Sequence, residues 1–248
     1  MVTFPDYAPL TLADYVEQMR LIPGGDFYMG SDDGDKYERP SHLVNVSTYK
    51  IGSTPVTVGM WKEYVIGTAS AMPSSPPWGW IDDHPMVRIS WNDVMGAGGY
   101  CDWATQTTGQ NLKLPTEAQW EYCARDGKGN IQYPWGNEFD YGKLWCSTRI
   151  GENKSTVPVD RDFRVFVNSF GVSDLAGNVS EWCLDWHAKY TSDYTKNPTG
   201  PTSARNKCLR HGSWSDIWLP SVFRCASRDG VNPGWNVSHI GFRIAITM

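Results

Sequence analysis

The C-terminal segment, residues 210–245, constrains the fold more than any other part of the chain. Two short regular motifs, Gly-Ser-Trp at 212–214 and Gly-Phe-Arg at 241–243, bracket stretches that follow no period. Residues 229–232 and 235–239 alternate in neither hydrophobicity nor charge, which is typical of neither a strand nor a helix. Because a rigid frame carrying irregular loops is a common way to build a binding surface, the segment predicts such a surface.

Composition limits the classes of protein to which the chain can belong. It has 248 residues, 40% of them hydrophobic and 20% charged, so it can bury a core and is not globally disordered. The net charge of −5 and the lack of a Lys/Arg-rich helix argue against nucleic acid as a partner. No stretch reaches the roughly 20 apolar residues of a membrane span. Residues 1–6 lack the basic and apolar regions of a signal peptide.

The six cysteines stand alone in the sequence. They are Cys101, Cys123, Cys146, Cys183, Cys208 and Cys225. None forms a Cys-x-x-Cys pair, which argues against a zinc site. An even number permits disulfides, but a chain of this length and hydrophobic content does not need them. We therefore predict that most of the six are buried free thiols.

The N-terminal part of the chain predicts short strands and one helix. Residues 19–30 surround a Pro-Gly-Gly turn at 23–25, which predicts a β-hairpin. Alternation over 43–51 predicts a strand, residues 57–66 a helix, and residues 86–89 another short strand.

Two more helices are predicted in the middle of the chain. One spans about 92–107 and is capped by Ser90 or Asn92. The other, 117–125, begins with a capping box: Thr116 is the N-cap and a Gln follows three residues later. Regular structure is scarce beyond this helix, and there is no repeat or linker. The pattern predicts one α+β domain with few helices, short antiparallel strands and many long ordered loops.

Seven short motifs follow one another along the chain. They are Gly-Asp-Phe-Tyr-Met-Gly-Ser at 25–31, Glu-Arg-Pro-Ser-His at 38–42, Lys-Leu-Pro-Thr-Glu-Ala-Gln-Trp-Glu-Tyr at 113–122, Tyr-Pro-Trp-Gly-Asn at 133–137, Asp-Leu-Ala-Gly-Asn-Val-Ser-Glu-Trp at 174–182, His-Gly-Ser-Trp at 211–214 and Gly-Phe-Arg at 241–243. Together they resemble the formylglycine-generating-enzyme family, a branch of the C-type lectin fold. The resemblance implies that fold for residues 1–248 as a single domain.

The loop after Gly-Ser-Trp decides what this resemblance implies about activity. Oxidases of the family bind copper with two cysteines in that loop, and copper(I) prefers soft thiolate ligands. Residues 215–223 contain no cysteine, and Cys225 belongs to the framework motif that follows. The histidines show no ligand spacing, and we interpret each as a hydrogen-bonding loop residue. They are His42, His84, His187, His211 and His239. We expect no catalytic residue and no required cofactor.

A second branch of the same fold matches the tail better. After Gly-Ser-Trp come a loop, Arg-x-Ala-x-Arg at 224–228, Asn-Pro-Gly at 232–234 and a late Gly-Phe-Arg. This order resembles the variable proteins of diversity-generating retroelements, whose C-terminal repeat is rewritten at adenines. The resemblance implies a non-enzymatic ligand-binding protein. One alternative is a formylglycine-generating-type oxidase with an altered or lost metal centre. The other is a sugar-binding lectin-like module, but no Glu-Pro-Asn or Gln-Pro-Asp motif is present.

The implied binding surface consists of the irregular residues of the tail. They are Asp216, Ile217, Trp218, Leu219, Val222, Phe223, Asp229, Gly230, Val231, Trp235, Asn236, Val237, Ser238 and His239. The aromatic members are expected to be anchors, since aromatic groups supply much of the contact energy at interfaces. The alternative is that these are ordinary loop residues whose apolar members enter the core.

A turn at 174–181 is the other candidate site. In the enzymes of the family the matching turn binds calcium through two side-chain oxygens and two backbone carbonyls, and hard oxygen ligands suit that ion. The corresponding residues here are Asp174, Gly177, Val179 and Glu181. The alternative is a metal-free turn held by hydrogen bonds of Asp174 and Asn178. The family's second calcium site is degraded, with Lys143 where an Asn side chain is expected.

The expected partner is a protein or another exposed macromolecule, bound by a monomer. Nothing in the sequence identifies the ligand. The resemblance favours the cell surface or the extracellular space.

Overall fold

The computed structural model describes residues 10–146, 155–159, 166–210, 212–216 and 219–248. The helices are α1 (Leu12–Glu17), α2 (Val58–Thr68), α3 (Trp91–Met95), α4 (Tyr100–Thr108) and α5 (Glu117–Ala124). The strands are β1 (Arg20–Ile22), β2 (Gly25–Met29), β3 (His42–Val46), β4 (Tyr49–Ile51), β5 (Ser180–Trp186), β6 (Thr195–Lys196), β7 (Lys207–Arg210), β8 (Arg228–Val231), β9 (Ile240–Gly241) and β10 (Ala245–Thr247). None of these helices is long and apolar enough to cross a membrane.

The strands form three small sheets, and long loops connect them. Their strand orders are β1-β4-β10, β2-β3-β6 and β8-β7-β5-β9. The C-terminal strands enter two of them: β10 pairs antiparallel with β4, and β9 pairs parallel with β5. The tail is therefore part of the framework at its end, whereas the residues before β9 form loops between framework strands.

The predicted hairpin at 19–30 is wrong. Strands β1 and β2 form on either side of the Pro-Gly-Gly turn, but β1 pairs with β4 and β2 pairs with β3. Gly24 lies against the backbone that joins β3 to β4, where a Cβ would meet the Val46 carbonyl oxygen at 2.4 Å. The chain thus crosses from one sheet to another at this turn, and the predicted strand 43–51 is split into β3 and β4.

The helix predictions are confirmed in part. Thr116 caps α5 through a capping box with Gln119, and α2 forms where a helix was predicted. The single helix predicted over 92–107 is wrong, because the chain leaves the helix at Gly96 and re-enters it after Gly99. Ser90 is the N-cap of α3. The predicted strand 86–89 does not form as a strand.

The core has three clusters of buried side chains. The largest contains Trp61, Tyr100 and Phe242, with the Trp61 and Tyr100 rings stacked at 5.3 Å. Phe242 meets both rings edge-on, so the Gly-Phe-Arg motif inserts its aromatic side chain into the centre of the fold. All six cysteines are buried and unpaired, which confirms the prediction of free thiols.

Candidate functional site

Each of the four buried arginines of the tail is anchored by a buried glutamate from the rest of the chain. We call residues 215–223 the first loop and residues 232–239 the second loop. Arg243, which follows the second loop, binds Glu181 of β5 with Nε–Oε2 and Nη2–Oε1 distances of 2.7 Å. Arg224, which follows the first loop, binds Glu38 with an Nη2–Oε1 distance of 2.7 Å. These contacts fix the ends of both loops without using loop side chains.

The other two arginines share the carboxylates of α5. Arg228 binds Glu117 through two contacts of 2.7 Å. Arg210 contacts Glu117 at 3.2 Å and forms a fully buried pair with Glu121. Burial raises the pKa of Glu117, but the charges of Arg228 and Arg210 outweigh it and hold that pKa at about 2. Glu117 therefore stays ionised at neutral pH.

The backbone of the second loop, residues 232–239, is held by donors from outside it. The hydrogen bonds are Arg88 N–H to Val237 O at 3.0 Å, Asn92 N–H to Pro233 O at 3.3 Å, Trp214 Nε1–H to Ser238 O at 3.0 Å and Ser180 N–H to His239 O at 2.9 Å. A turn within the loop adds a Trp235 N–H to Asn232 O bond of 3.0 Å. The path of this loop thus depends mainly on its carbonyl groups, and Asn232 is a loop side chain that also contributes, through Oδ1 and the Gly234 N–H at 2.9 Å.

The structure exposes part of the predicted surface to solvent and buries part of it. Leu219, Asp229, Trp235 and Asn236 are exposed, and the side chains of Leu219 and Trp235 are each 59% exposed. Asp216, Val222, Gly230, Val237, Ser238 and His239 are half-buried, and Phe223 and Val231 are buried. Ile217 and Trp218 lie outside the described residues.

Phe223 and Val231 do not belong to an exposed surface. Phe223 ends a short 3₁₀ turn, is 1% exposed and stacks on Phe139 at 6.0 Å. Val231 is the inward-facing residue of β8 and joins the main core. Gly230 is also restricted, because a Cβ there would lie 2.6 Å from Nδ1 of His187. Phe223 and Val231 depart from the predicted surface because turn and strand geometry, respectively, direct their side chains inward.

Asp216 stabilises the turn after Gly-Ser-Trp. Its Oδ2 accepts hydrogen bonds from the Ser213 N–H at 2.7 Å and from the Ser213 hydroxyl at 2.9 Å. A side chain used in this way helps to set the path of the first loop, so changing it alters the loop itself.

A groove of about 310 Å³ runs beside Trp235. It is lined by Arg205, Asn206, residues 229–232 and Trp235. Asn206 donates through Nδ2 to the Gly230 carbonyl at 2.9 Å. Sequence reasoning missed Arg205 and Asn206, since both precede β7 in an exposed loop with no distinguishing motif.

The implied calcium turn is held by other contacts. Both carboxylate oxygens of Glu181 bind Arg243, and Oε2 also accepts from the indole of Trp120 at 2.8 Å. Asp174 Oδ2 accepts from the Asn178 side chain at 3.3 Å. The residues present therefore do not fit the implied set of calcium ligands in this arrangement, because Glu181 would have to leave a buried ion pair.

Thiol chemistry at the position of the copper site is also disfavoured. Cys225, the cysteine nearest the first loop in sequence, is fully buried, and burial raises its pKa to about 12. Cys225 is therefore a buried framework thiol outside residues 215–223, which contain no cysteine. Within the described part of the chain, no group of three or more His, Cys, Asp or Glu side chains is arranged to hold a metal ion.

Comparison with known proteins places the whole chain in one group. The family described as sulfatase-modifying factor enzyme 1-like domain matches residues 5–248. A formylglycine-generating enzyme from Streptomyces coelicolor is 31% identical over 292 residues, covering 92% of this chain and 88% of the relative. PvdO from Pseudomonas aeruginosa superposes with a TM-score of 0.78 at 27% identity, covering 93% of this chain and 94% of its own. Treponema denticola variable protein 1 gives a TM-score of 0.78 at 24% identity, covering 93% and 95%.

Proposed function

The chain belongs to the sulfatase-modifying factor enzyme 1-like domain family and has the formylglycine-generating-enzyme type of C-type lectin fold, and on that premise we propose that it is a non-enzymatic ligand-binding protein. Its C-terminal loops would form a diversified surface, as in the variable protein of a diversity-generating retroelement. The partner would be a protein or another exposed macromolecule.

The observation that carries this proposal is the division of roles in loop 232–239. Its carbonyl groups accept hydrogen bonds from framework donors, while the side chains of Trp235 and Asn236 point away from the core and are exposed. A loop tolerates many different side chains only if its backbone is fixed by groups that do not change. This arrangement meets that condition at exposed positions of the tail.

The ion pairs of the tail arginines likewise fix the ends of the loops independently of the exposed loop side chains. Arg224 and Arg228 stand between the two loops, and each binds a carboxylate that lies far away in the sequence. Replacing a buried charged partner is costly, so these residues are expected to stay fixed while their neighbours change. The tail would then alternate fixed anchors with replaceable surface residues.

The competing function is that of an oxidase with an altered metal centre. It is favoured by the similarity to formylglycine-generating enzymes such as that of Streptomyces coelicolor. It is disfavoured by residues 215–223, which provide no thiolate for copper. We expect purified protein, with or without added copper, to leave the cysteine of a sulfatase-type peptide unchanged. Formylglycine product detected by mass spectrometry would overturn the non-enzymatic assignment.

The diversification itself is tested in the DNA next to the coding region. We expect a near-copy of the 3′ end whose differences all correspond to adenines, beside a reverse-transcriptase gene. The differences should fall in the codons of exposed residues such as Asp229, Trp235 and Asn236, and should spare Arg224, Arg228 and Phe242. A genomic neighbourhood without such a copy would remove the diversification from the proposal.

A further inference from the structure

Within the described part of the chain, Arg88 has no acidic partner, unlike the arginines of the tail. Its Nη1 donates to the Ser74 hydroxyl at 3.3 Å, and its Nε is buried without a hydrogen-bond partner. Over the described ranges of the chain, no carboxylate lies within ion-pair distance of its guanidinium, whereas each tail arginine described above binds a glutamate. Among the residues that the structure describes, Arg88 is therefore a half-buried cation with no carboxylate counter-ion.

The backbone of Arg88 places this cation beside the second loop. Its N–H donates to the Val237 carbonyl at 3.0 Å, which joins it directly to loop 232–239. The residue adopts a left-handed conformation with a φ of 56°. Non-glycine residues rarely take that conformation, and they often do so where function fixes a side chain. The contact with Val237 and the left-handed backbone thus fix the position of the Arg88 backbone from which the side chain extends.

A pair of tryptophans connects the Pro-rich segment to the second loop. Trp78, from the Pro-rich segment that contains Ser74, meets the Trp214 ring edge-on at 5.1 Å. The Trp214 indole donates to the Ser238 carbonyl, next to the residue that Arg88 holds. Arg88 and Trp78 come from segments far from the tail in sequence. Arg88 contacts the second loop directly, and Trp78 reaches it through Trp214. A ligand on that loop would meet side chains of the framework as well as those of the tail.

We propose that Arg88 is a fixed ligand-binding residue of this surface and that it binds a carboxylate of an acidic segment on a protein partner. A guanidinium offers five N–H donors in a planar fork that matches a carboxylate, and the Ser74 hydroxyl takes only one of them. Removing part of its water shell without supplying a counter-ion favours an anion in that place. This inference rests on the proposed function in one respect: it takes loop 232–239 as the surface that meets the ligand.

The test is a titration of the full-length protein with an acetylated hexaglutamate peptide, followed by NMR. The reporters are the Arg88 and Val237 amides and the Trp214 indole N–H. Hexaglutamine is the neutral control peptide. The variants are R88Q and R88K. R20Q is the matched control, because Arg20 also has no acidic partner among the described residues and donates to a single acceptor, the Gly171 carbonyl. Thermal melts verify that each variant is folded.

We expect hexaglutamate to shift all three signals in a saturable, salt-sensitive way, and hexaglutamine to leave them in place. R88Q should weaken the affinity by about tenfold or more, as expected for the loss of a charged hydrogen bond. R88K should be intermediate, and R20Q should behave as the wild type. No shift in the wild type, an unchanged titration in R88Q, or the same loss in R20Q would overturn the proposal.

The titration and the genomic test can fail separately. If the DNA carries no adenine-directed copy but R88Q still loses the peptide, Arg88 is an acidic-ligand site on a surface that does not diversify. If the copy exists but Arg88 does not bind the peptide, the diversified surface stands and the Arg88 inference is wrong.

Discussion

Glu181 and Arg243 form a buried ion pair with two contacts of 2.7 Å between the last framework motif and the strand β5. Their side chains are 1% and 0% exposed, and the Trp120 indole completes the hydrogen bonding of the carboxylate. The pair joins the end of the tail to the centre of the fold. It therefore bears on the stability of the C-terminal framework and on the implied calcium site, which includes Glu181.

We expect Glu181→Gln to destabilise the protein by about 3–5 kcal/mol, because it leaves the Arg243 charge buried without a partner. Chemical denaturation at neutral pH measures this loss. The control is Lys62→Ala, which removes an ion pair with Asp82 whose side chains are 41% and 43% exposed. That change should cost less than about 1 kcal/mol. Equal losses for the two variants would show that the buried pair contributes no more than a surface pair.

Calcium is expected to leave the melting temperature unchanged, because Glu181 is already bound to Arg243. An ion that binds only the folded state raises stability with its concentration, so a calorimetric or thermal titration against a chelator is sensitive to weak binding. A melting temperature that rises with calcium in the wild type but not in Asp174→Ala would restore the calcium site that the resemblance implies. That prediction stays open until the titration is made.

Local sequence signals predicted local structure well. The capping box at Thr116 gave the start of α5 because the cap and the N–H groups that it satisfies lie within one turn. The hairpin at 19–30 failed for the opposite reason. The partners of β1 and β2 are chosen by long-range contacts, and Gly24 marks a close approach of another segment rather than a tight turn between paired strands.

The candidate site was predictable as a region but not residue by residue. Trp235 is exposed as expected, whereas Phe223 and Val231 are buried, and no period in so short a segment distinguishes the two cases. Arg88 could not be found at all from the sequence. Its place beside Val237 follows from a backbone contact between segments that are far apart in the chain.

Asp185 gives the stability a specific dependence on pH. Burial and the nearby Glu117 raise its pKa from 3.8 to about 7, although the Glu117 N–H, Arg228 and Lys207 oppose the shift. Because the pKa is higher in the folded state, the protonated carboxyl stabilises the fold fully at low pH. This contribution is lost as the pH rises from about 4 through about 7.

Asp185→Asn should remove this part of the pH dependence and make the variant more stable than the wild type at pH values above about 7. An asparagine keeps an oxygen that can accept the Glu117 N–H, which Asp185 accepts at 2.9 Å. Melting curves over a pH series measure the effect, and Asp229→Asn is the control at an exposed carboxyl. Parallel pH profiles for the wild type and Asp185→Asn would contradict the assignment.

Val231 is a buried residue within the predicted surface of the tail. It is 8% exposed and packs in the main core, so Val231→Ala should cost about 1–2 kcal/mol by thermal denaturation. Its neighbour Asp229 is exposed on the same strand, and Asp229→Ala is the matched control. If Val231→Ala is as silent as Asp229→Ala, the Val231 side chain does not pack in the core.

The binding surface requires that exposed tail residues contribute little to folding. Asp229→Ala, Trp235→Ala and Asn236→Ala should each change the free energy of unfolding by less than about 0.5 kcal/mol, the usual range for surface positions. Trp214→Ala and Phe242→Ala should each cost about 3–5 kcal/mol, since both rings are buried. The difference follows from the backbone contacts that hold loop 232–239 independently of its side chains. One thermal-melt series over these variants measures it. Losses of similar size in both groups would make the exposed residues part of the folding framework, and the loop could not then accept the range of side chains that a diversified surface needs.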